Sequence, residues 1–228
     1  MKILVVAAHP DDETLGMGGT LAKLARAKHD IEYLWMTDGV SSRANKDLFA
    51  AQQKRRDDAL KAVFSLSGKG EGSFIFAPDN AMDSTPLLGI VRLIAEKIDQ
   101  YHPDVVYTNS ITDLNIDHRR TAEAVLVATR PVPGTPGAWV KAVYSFEVPS
   151  STEWAFGQLG TFRPTVFECL GGVDWEAKEK ALDCYADELR SHPHPRSKEV
   201  LKAIAQVRGA MVGVGLAEAF EVIRDVRE

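Results

Sequence analysis

The feature of this sequence that most constrains its fold is a regular alternation of short apolar runs with longer amphipathic stretches. The first run, residues 3–8, is continuously apolar and rich in β-branched side chains, which is typical of a parallel strand covered on both faces. Further strands are predicted at 31–37, 73–77 and 105–108, with helices at 14–28, 48–66 and 87–101 between them. Strands that alternate with helices predict a parallel sheet with right-handed crossovers.

The remainder of the chain continues this pattern without an obvious boundary. Helices are predicted at 121–130, 175–189 and 198–208, and strands at 141–147 and 164–170. No repeat, low-complexity tract or long linker divides the 228 residues. We therefore expect one α/β domain over residues 1–228, with a Rossmann-like, mainly parallel sheet and helices on both faces.

The charge balance excludes some classes of partner. The chain has 27 Lys and Arg against 32 Asp and Glu, a net charge of −5, which argues against a protein that neutralises many phosphates of a nucleic acid. No apolar stretch approaches the roughly 20 residues that a membrane-spanning helix needs, and acids follow the first apolar run at once. We expect a cytoplasmic protein with no membrane span that acts on a small molecule.

Polar segments follow four of the predicted strands. They comprise residues 9–13, 37–43, 79–83 and 109–120. Because ligands of doubly wound sheets bind beyond the carboxyl ends of the strands, these four segments should meet at one rim and form the functional site.

The segment 8–13, Ala-His-Pro-Asp-Asp-Glu, places an imidazole and three carboxylates at the end of the first strand. Burying so many acids costs several kcal/mol unless a cation or hydrogen-bond donors compensate. A catalytic zinc usually takes three His or carboxylate ligands and keeps one position for water. His9, one of the two aspartates and His118 are the candidate ligands, although paired aspartates at a helix start also serve as simple caps.

Several motifs together resemble the LmbE-like or PIG-L family of N-acetylglucosaminyl deacetylases. The most specific is AHPDDETLGMGG at 8–19, accompanied by TDG at 37–39 and the later Asp117-His118. Weaker matches are Arg55-x-x-Asp58, where the family tends to have Arg-x-x-Glu, then Pro78-Asp79 and the segment Ala-Glu-Ala-Phe at 217–220. The likeness extends along most of the chain.

The resemblance implies a zinc-dependent hydrolysis of the acetamide of an amino sugar. It implies that His9, Asp12 and His118 bind Zn²⁺ and that Asp11 is the general base. Zinc lowers the pKa of a bound water toward about 7, so that hydroxide is available at neutral pH. Asp11 would then accept the water proton and return it to the leaving amine.

The chain departs from the family at one catalytic position. Many members have a histidine three residues before the last zinc ligand, where this chain has Asn115. An amide can donate a hydrogen bond to the oxyanion but brings no positive charge, and such a donor is worth roughly 3–4 kcal/mol. The proline-flanked loop 191–197 offers His194 as a substitute, from the same chain or from a neighbour in a homo-oligomer.

Substrate contacts are expected from Arg43, Arg55 and Asp79, and Trp139 and Trp154 are candidates for an aromatic wall. Two alternatives stay open. The substrate could be another N-acylated small molecule, such as a thiol conjugate, antibiotic or lipid. The glycines at 16, 18 and 19 also suggest a non-catalytic Rossmann-like nucleotide-binding protein, although the acids at 11–13 would repel a pyrophosphate.

Overall fold

The computed structural model describes residues 1–44 and 46–227. Its strands are β1 Lys2–Ala7, β2 Asp30–Thr37, β3 Ser73–Ala77, β4 Val105–Asn109, β5 Ala142–Phe146, β6 Val166–Cys169 and β7 Ala217–Asp225. Its α-helices are α1 Asp12–Arg26, α2 Leu48–Ser67, α3 Leu87–Tyr101, α4 Ile116–Ala128, α5 Gly172–Cys184 and α6 Lys198–Met211. Short 3₁₀ helices lie at Met82–Ser84, Pro136–Trp139 and Glu153–Ala155.

The seven strands form one sheet in the order β3-β2-β1-β4-β5-β7-β6. The pairs from β3 to β5 are parallel, and β7 runs antiparallel to both of its neighbours. Strand order runs outward from β1 in one direction through β2 and β3, and in the other through β4 and β5. The switch point therefore lies between the carboxyl ends of β1 and β4, which is where doubly wound sheets bind ligands.

Two apolar cores cover the two faces of the sheet, and β1 shows how its sequence separates them. Ile3 and Val5 pack into a core with residues of α1, α2, α5 and α6, whereas Leu4 and Val6 face α3 and α4. Successive strand residues point to opposite faces, so both sets can be apolar only when both faces are covered. Each fully buried side chain of this kind contributes about 1.5–3 kcal/mol.

The glycines at the start of α1 allow protein, not ligand, to approach the helix. A Cβ on Gly16 would lie 2.5 Å from the Phe146 ring, and one on Gly19 would lie 2.5 Å from Leu170. The helix is interrupted at Met17, whose backbone is not helical. These glycines therefore have a packing role between α1 and the antiparallel side of the sheet.

Glu218, within the 217–220 segment, satisfies the backbone of α1 just after this interruption. Its carboxylate accepts hydrogen bonds from the N–H groups of Gly19 and Thr20, at 3.1 and 2.6 Å. Lys178 of α5 donates to the same carboxylate at 2.6 Å and to the carbonyl of Leu15 at 2.8 Å. The buried pair thus connects β7, α5 and α1.

The predicted α/β class, the mainly parallel sheet and the helices on both faces are confirmed. The strand β7 is an addition that the sequence reading missed, and α5 ends at Cys184 instead of continuing to residue 189. Within residues 1–44 and 46–227, no helix combines the length and apolar character that crossing a bilayer requires.

Candidate active site

The candidate site lies at the predicted switch point. His9 follows β1 directly, Asp12 begins α1, and His118 lies in the first turn of α4, which follows β4. Asn109, the last residue of β4, joins the two sides because its side chain accepts from the Ala8 N–H at 2.9 Å and donates to Asp12 Oδ2 at 3.0 Å. The strand ends thereby fix the spacing of the site.

His9, Asp12 and His118 converge as the sequence predicted. His9 Nδ1 lies 3.1 Å from His118 Nε2 and 3.4 Å from Asp12 Oδ2, and His118 Nε2 lies 3.3 Å from the same oxygen. All three side chains are buried. Three ligand atoms within one small volume form a group that could hold a metal ion.

Each histidine has a carboxylate at its other nitrogen. His9 Nε2 lies 3.0 Å from Asp117 Oδ2, and His118 Nδ1 lies 3.0 Å from Asp113 Oδ2. Such partners fix the tautomer and the ring orientation of metal-binding histidines and raise their basicity. Neither aspartate was assigned a role from the sequence, although Asp117 directly precedes a predicted ligand.

Asp113 and Asp117 are themselves held by hydrogen bonds. Asp113 accepts from the hydroxyls of Ser151 and Thr152, and Asp117 accepts from the backbone N–H groups of Asn80, at 2.6 Å, and Met82, at 3.0 Å. The segments 79–82 and 151–152 therefore support the histidines from outside.

The electrostatics of this group suit a cation. Burial alone would lower the pKa of His118, but the carboxylates of Asp12 and Asp113 raise it to about 9. Burial is likewise opposed at His9, whose pKa is raised well above its ordinary value by Asp117, Asp12 and Asp79. If both histidines are neutral, the carboxylates around them give the site a net negative charge. The site therefore favours an added positive charge.

Asp12 supplies a further indication that the site fits a metal. Its Oδ2 accepts from the His9 N–H and from Asn109, whereas its Oδ1 is buried and has no hydrogen-bond partner among the described residues. A buried carboxylate oxygen without a partner is costly unless a cation or water satisfies it. Burial would raise the pKa of Asp12, but the neighbouring histidines hold it well below its usual range.

Asp11 lies beside this group but faces different neighbours. Its backbone has φ 123° and ψ −27°, a left-handed conformation that costs a non-glycine residue of order 1–3 kcal/mol. Its Oδ2 lies 3.2 Å from Arg196 Nη1 and 3.5 Å from Arg55 Nη1. Burial raises the pKa of the Asp11 carboxyl, and the two arginines oppose that shift.

Glu13 does not point at the histidines. Its carboxylate accepts from Trp35 Nε1 at 2.9 Å, from the Tyr185 hydroxyl at 3.0 Å and from the Thr14 hydroxyl at 2.8 Å. It also accepts from the Asp11 N–H at 3.3 Å. Glu13 thus supports the strained backbone of Asp11 from the core.

Glu188 is a buried site residue that the sequence reading did not identify. Its carboxylate accepts two hydrogen bonds from Arg43, at 2.7 and 3.0 Å, and lies 2.6 Å from Arg55 Nη2. Arg196 Nη1 lies 3.6 Å from it. Glu188 therefore connects three arginines that reach the cavity from separate parts of the chain.

The other predicted substrate contacts line the same cavity. Its volume is about 70 Å³, and its walls are formed by His9, Asp11, Gly39, Arg43, Arg55, Asp79, Asn80, Asn115, His118 and Arg196. Asp79 Oδ1 lies 3.4 Å from His9 Nε2, and Asp79 Oδ2 accepts from the Ser42 hydroxyl at 2.6 Å. Burial alone would raise the pKa of Asp79, but these contacts lower it to about 2.

Asn115 caps α4 and borders the cavity. Its side-chain oxygen accepts from the Asp117 N–H at 2.8 Å, and its amide nitrogen donates to Asn80 Oδ1 at 3.0 Å. The residue thus borders the cavity, with its amide bound to the protein.

The predicted loop 191–197 reaches the cavity through Arg196. The His194 ring packs edge-on against Trp154, with 5.5 Å between ring centroids, and its Nδ1 accepts from the Arg196 N–H at 3.1 Å. Trp139 lies elsewhere, against His102 at the opposite rim, with 3.8 Å between ring centroids. Of the two candidate aromatic wall residues, only Trp154 lies near this loop.

The fold and site define an α/β protein with a His-Asp-His group at the switch point of its sheet. Residues 4–129 match the family model described as PIG-L, GlcNAc-PI de-N-acetylase. The chain is 30% identical over 188 residues to the uncharacterized deacetylase YaiS of Escherichia coli, covering 79% of this chain and 88% of that protein. This chain belongs to the PIG-L family.

Solved structures agree with this assignment at the level of the fold. The N,N'-diacetylchitobiose deacetylase of Pyrococcus horikoshii superposes with a TM-score of 0.79 at 20% identity, covering 98% of this chain and 84% of that one. GalB, the 4-carboxy-2-hydroxymuconate hydratase of Pseudomonas putida KT2440, has a TM-score of 0.75 at 22% identity, with coverages of 100% and 98%. Since one of these folds carries a hydratase, the reaction must be argued from the site.

Proposed function

We propose that this chain is a zinc-dependent de-N-acetylase that hydrolyses the acetamide of an N-acetylated amino sugar or its conjugate. The observation that carries the proposal is the pairing of a carboxylate-backed His9-Asp12-His118 group with a separate carboxylate, Asp11, that lies outside the group. A metal-dependent amide hydrolase combines a cationic centre with a proton acceptor placed beside it.

The residues around the cationic centre hold its ligands in place. His9, Asp12 and His118 would hold Zn²⁺, and Asp113 and Asp117 would keep the ligand nitrogens of both histidines unprotonated and correctly oriented. When bound, zinc supplies Lewis acidity that activates water and polarises the amide carbonyl. The positive charge of the ion would balance the excess negative charge of the surrounding carboxylates.

Asp11 is the proton acceptor in this proposal. It accepts a proton from the attacking water and delivers it to the nitrogen as the C–N bond breaks. Its contacts with Arg55 and Arg196 hold the carboxylate at the cavity wall, 3.5 and 3.2 Å away. Asn115 is the candidate donor to the developing oxyanion, and His194 remains a candidate from this chain or a neighbouring one.

The remaining cavity walls suit a polyhydroxylated substrate. Arg43, Asp79 and Asn80 provide donors and acceptors around a small polar cavity, as a sugar ring requires. Arg55 would contribute to the same contacts. We extend the proposal to a cytoplasmic, homo-oligomeric enzyme on the basis of the sequence. Light scattering of the purified protein tests the oligomeric state.

The test is a hydrolysis screen with zinc-loaded protein. N-acetylglucosamine and its nucleotide, lipid and thiol conjugates are incubated with the enzyme, and free amine and acetate are both measured. Equimolar release from a sugar substrate by the wild type, and at least ~100-fold slower release by Asp11→Asn, is expected. Release only from an N-acylated compound that lacks a sugar favours the broader amidase, and zinc-loaded protein that hydrolyses none of them contradicts the proposal.

The nucleotide-binding alternative predicts a different result. Such a protein would bind a nucleotide without any need for metal at His9 and His118. The close contacts of Gly16 and Gly19 with Phe146 and Leu170 leave no room for a ligand at those glycines. Calorimetry with ATP and NAD on metal-free protein should therefore show no binding.

A further inference from the structure

Asp11 receives charged partners on one of its two carboxylate oxygens only. In the described part of the chain, the contacts with Arg196 and Arg55 are both made by Oδ2. The residue lines the cavity, and its backbone is held at φ 123°. One oxygen is thus restrained and the other is available to a cavity molecule, which is the arrangement that a proton acceptor requires.

Arg196 has further partners in the fold besides Asp11. Its Nε donates to the Ser150 hydroxyl at 2.7 Å, and its Nη1 lies 3.6 Å from Glu188 Oε2. Its side chain is 20% exposed, so the guanidinium is largely removed from solvent. Ser150 lies in the turn after β5, and Arg196 therefore spans from that turn to the carboxylate at the start of α1.

The backbone around Arg196 is fixed as well. The Arg196 N–H donates to His194 Nδ1 at 3.1 Å, and the next residue, Ser197, begins α6 by accepting from the Val200 N–H at 3.2 Å. Because the backbone N–H and the Nε of Arg196 are both hydrogen-bonded, its side chain loses little conformational freedom when Nη1 contacts a carboxylate. This preorganisation makes the Arg196 contact a specific one and not an incidental surface pair.

We infer that Arg196 is a positioning residue that holds Asp11 Oδ2 so that Oδ1 faces the reacting water. The inference rests on the proposed function, because it assumes that Asp11 is the proton acceptor. Ser150 and Glu188 hold Arg196 in turn. Neither oxygen of Asp11 is fixed by a neutral donor from the described chain, so without Arg196 only the longer contact to Arg55 remains.

The chemistry of the guanidinium explains why this position needs arginine. Its planar fork can donate to Ser150 through Nε and to Asp11 through Nη1 at the same time. A lysine ammonium is a point donor on a flexible stem and cannot maintain both geometries. Arg196→Lys should therefore keep the charge but lose the orientation.

The experiment compares kcat, KM and zinc content across a set of loop variants, using the N-acetylated sugar that the wild type hydrolyses fastest. Arg196→Ala should lower kcat at least 10-fold with KM and zinc content unchanged, Arg196→Lys at least fivefold, and Ser150→Ala less than either. Arg190→Ala is the matched control, because the Arg190 guanidinium donates to the Asp187 and Leu189 carbonyls of its own turn. Its kcat should equal that of the wild type.

A double-mutant cycle with Asp11→Asn separates positioning from a general loss of structure. If Arg196 acts through Asp11, Arg196→Ala should slow the wild type at least 10-fold but slow Asp11→Asn less than twofold, measured by single turnovers with excess enzyme. Guanidinium chloride at millimolar concentration should partly rescue Arg196→Ala and leave the double variant unchanged. Equal slowing in both backgrounds overturns the inference.

Different results would contradict the proposed function and the positioning role of Arg196. Wild-type turnover in Asp11→Asn contradicts the proposed function itself. A slow Asp11→Asn variant together with wild-type turnover in Arg196→Ala leaves the function standing and overturns the positioning role. Should Arg196→Ala not fold, judged by its circular dichroism, Arg196→Lys takes its place in the cycle with the same criteria at fivefold.

Discussion

Asp11 and Asp12 are neighbours in the sequence, but their side chains have different partners and their pKa values are shifted in opposite directions. Asp12 faces His9 and His118, which are surrounded by further carboxylates, and its pKa is held low. Asp11 faces guanidinium groups, the nearer being that of Arg196, and burial raises its pKa. Two adjacent carboxylates whose environments differ in this way can divide the work, one as a ligand and one as a proton acceptor.

The backbone produces this division. The left-handed conformation at Asp11 turns its side chain away from the direction that Asp12 takes at the start of α1. Glu13, which accepts from Trp35 and Tyr185, also accepts from the Asp11 N–H and so supports this backbone conformation. The comparison therefore predicts that variants on the Asp12 side lose metal, whereas variants on the Asp11 side lose turnover.

The largest effect is expected on the histidine side. His118→Ala or His9→Ala removes one of three ligands, so each variant should lose both its roughly stoichiometric zinc and its activity. Metal content by mass spectrometry after dialysis is the measurement. His29→Ala is the control, since His29 contacts the N-terminus far from the site. Full zinc occupancy in either ligand variant would end the ligand assignment.

Asp11→Asn tests the other side of the comparison. Because Asp11 does not touch the histidines, the variant should keep zinc while kcat falls on the order of 100-fold or more. Titration of the purified variant with a zinc chelator, beside steady-state kinetics, gives both quantities. If zinc and turnover fall together, the two aspartates do not have separate roles.

The carboxylates behind the histidines should have a graded effect. Asp113→Asn and Asp117→Asn keep the shape of each partner but remove its charge, and loss of such outer partners typically costs 10–100-fold in metal affinity. Competition with a chelator measures the affinity. Asp83→Asn, at an exposed position beside the same segment, is the control and should bind zinc like the wild type.

The convergence of His9, Asp12 and His118 could be predicted because the sequence features that indicate it are local and periodic. His9 and Asp12 follow a short buried strand, and His118 enters the helix after another, so the rule on strand ends places all three together. The confirmed sheet rests on the same alternation of apolar runs. These features depend on residues that are close in sequence, so they can be recognised in a single sequence.

Glu188 and Arg196 could not be assigned because their roles depend on distant parts of the chain. The helical pattern of 175–189 placed Glu188 on a helix, whereas α5 ends at Cys184 and Glu188 lies in the following turn, facing Arg43 and Arg55. The proline-flanked loop 191–197 indicates a substitute donor at His194, whereas the residue of this loop that reaches Asp11 is Arg196. Nothing in the spacing shows which side chain turns toward Asp11.

The strand β7 was missed for a related reason. Its segment contains Glu218, which in isolation indicates an exposed surface, yet the carboxylate is buried against Lys178 and the interrupted turn of α1. The partners of the Glu218 carboxylate lie about 40 and 200 residues away in sequence, so the residues next to Glu218 do not indicate that it is buried. The antiparallel side of the sheet was therefore incomplete in the sequence reading.

His194→Ala should have a smaller effect than the variants of the histidines, of Asp11 and of the carboxylates behind the histidines. The imidazole supports the loop through the Arg196 N–H, and one hydrogen bond of about 1 kcal/mol corresponds to roughly a fivefold change in kcat. Mixing this variant with His118→Ala shows which chain supplies the residue, because only a site shared between chains regains activity. An unchanged kcat would remove His194 from the site.

The smallest expected effect is a pH-dependent stability of metal-free protein. The folded pKa of His118 is about 9, above the ordinary value of 6.5, so its charge contacts stabilise the fold fully below about pH 6.5 and are lost as the pH rises through 9. Asp12, whose pKa is depressed, stays ionised throughout this window and contributes no slope. Chelated protein should therefore lose several degrees of Tm between pH 6.5 and 9, at roughly 2–4 °C per kcal/mol. Zinc-loaded protein should not show this loss of Tm, since its histidines are already neutral ligands. A flat or rising Tm in the chelated protein would contradict the excess of negative charge around His9 and His118.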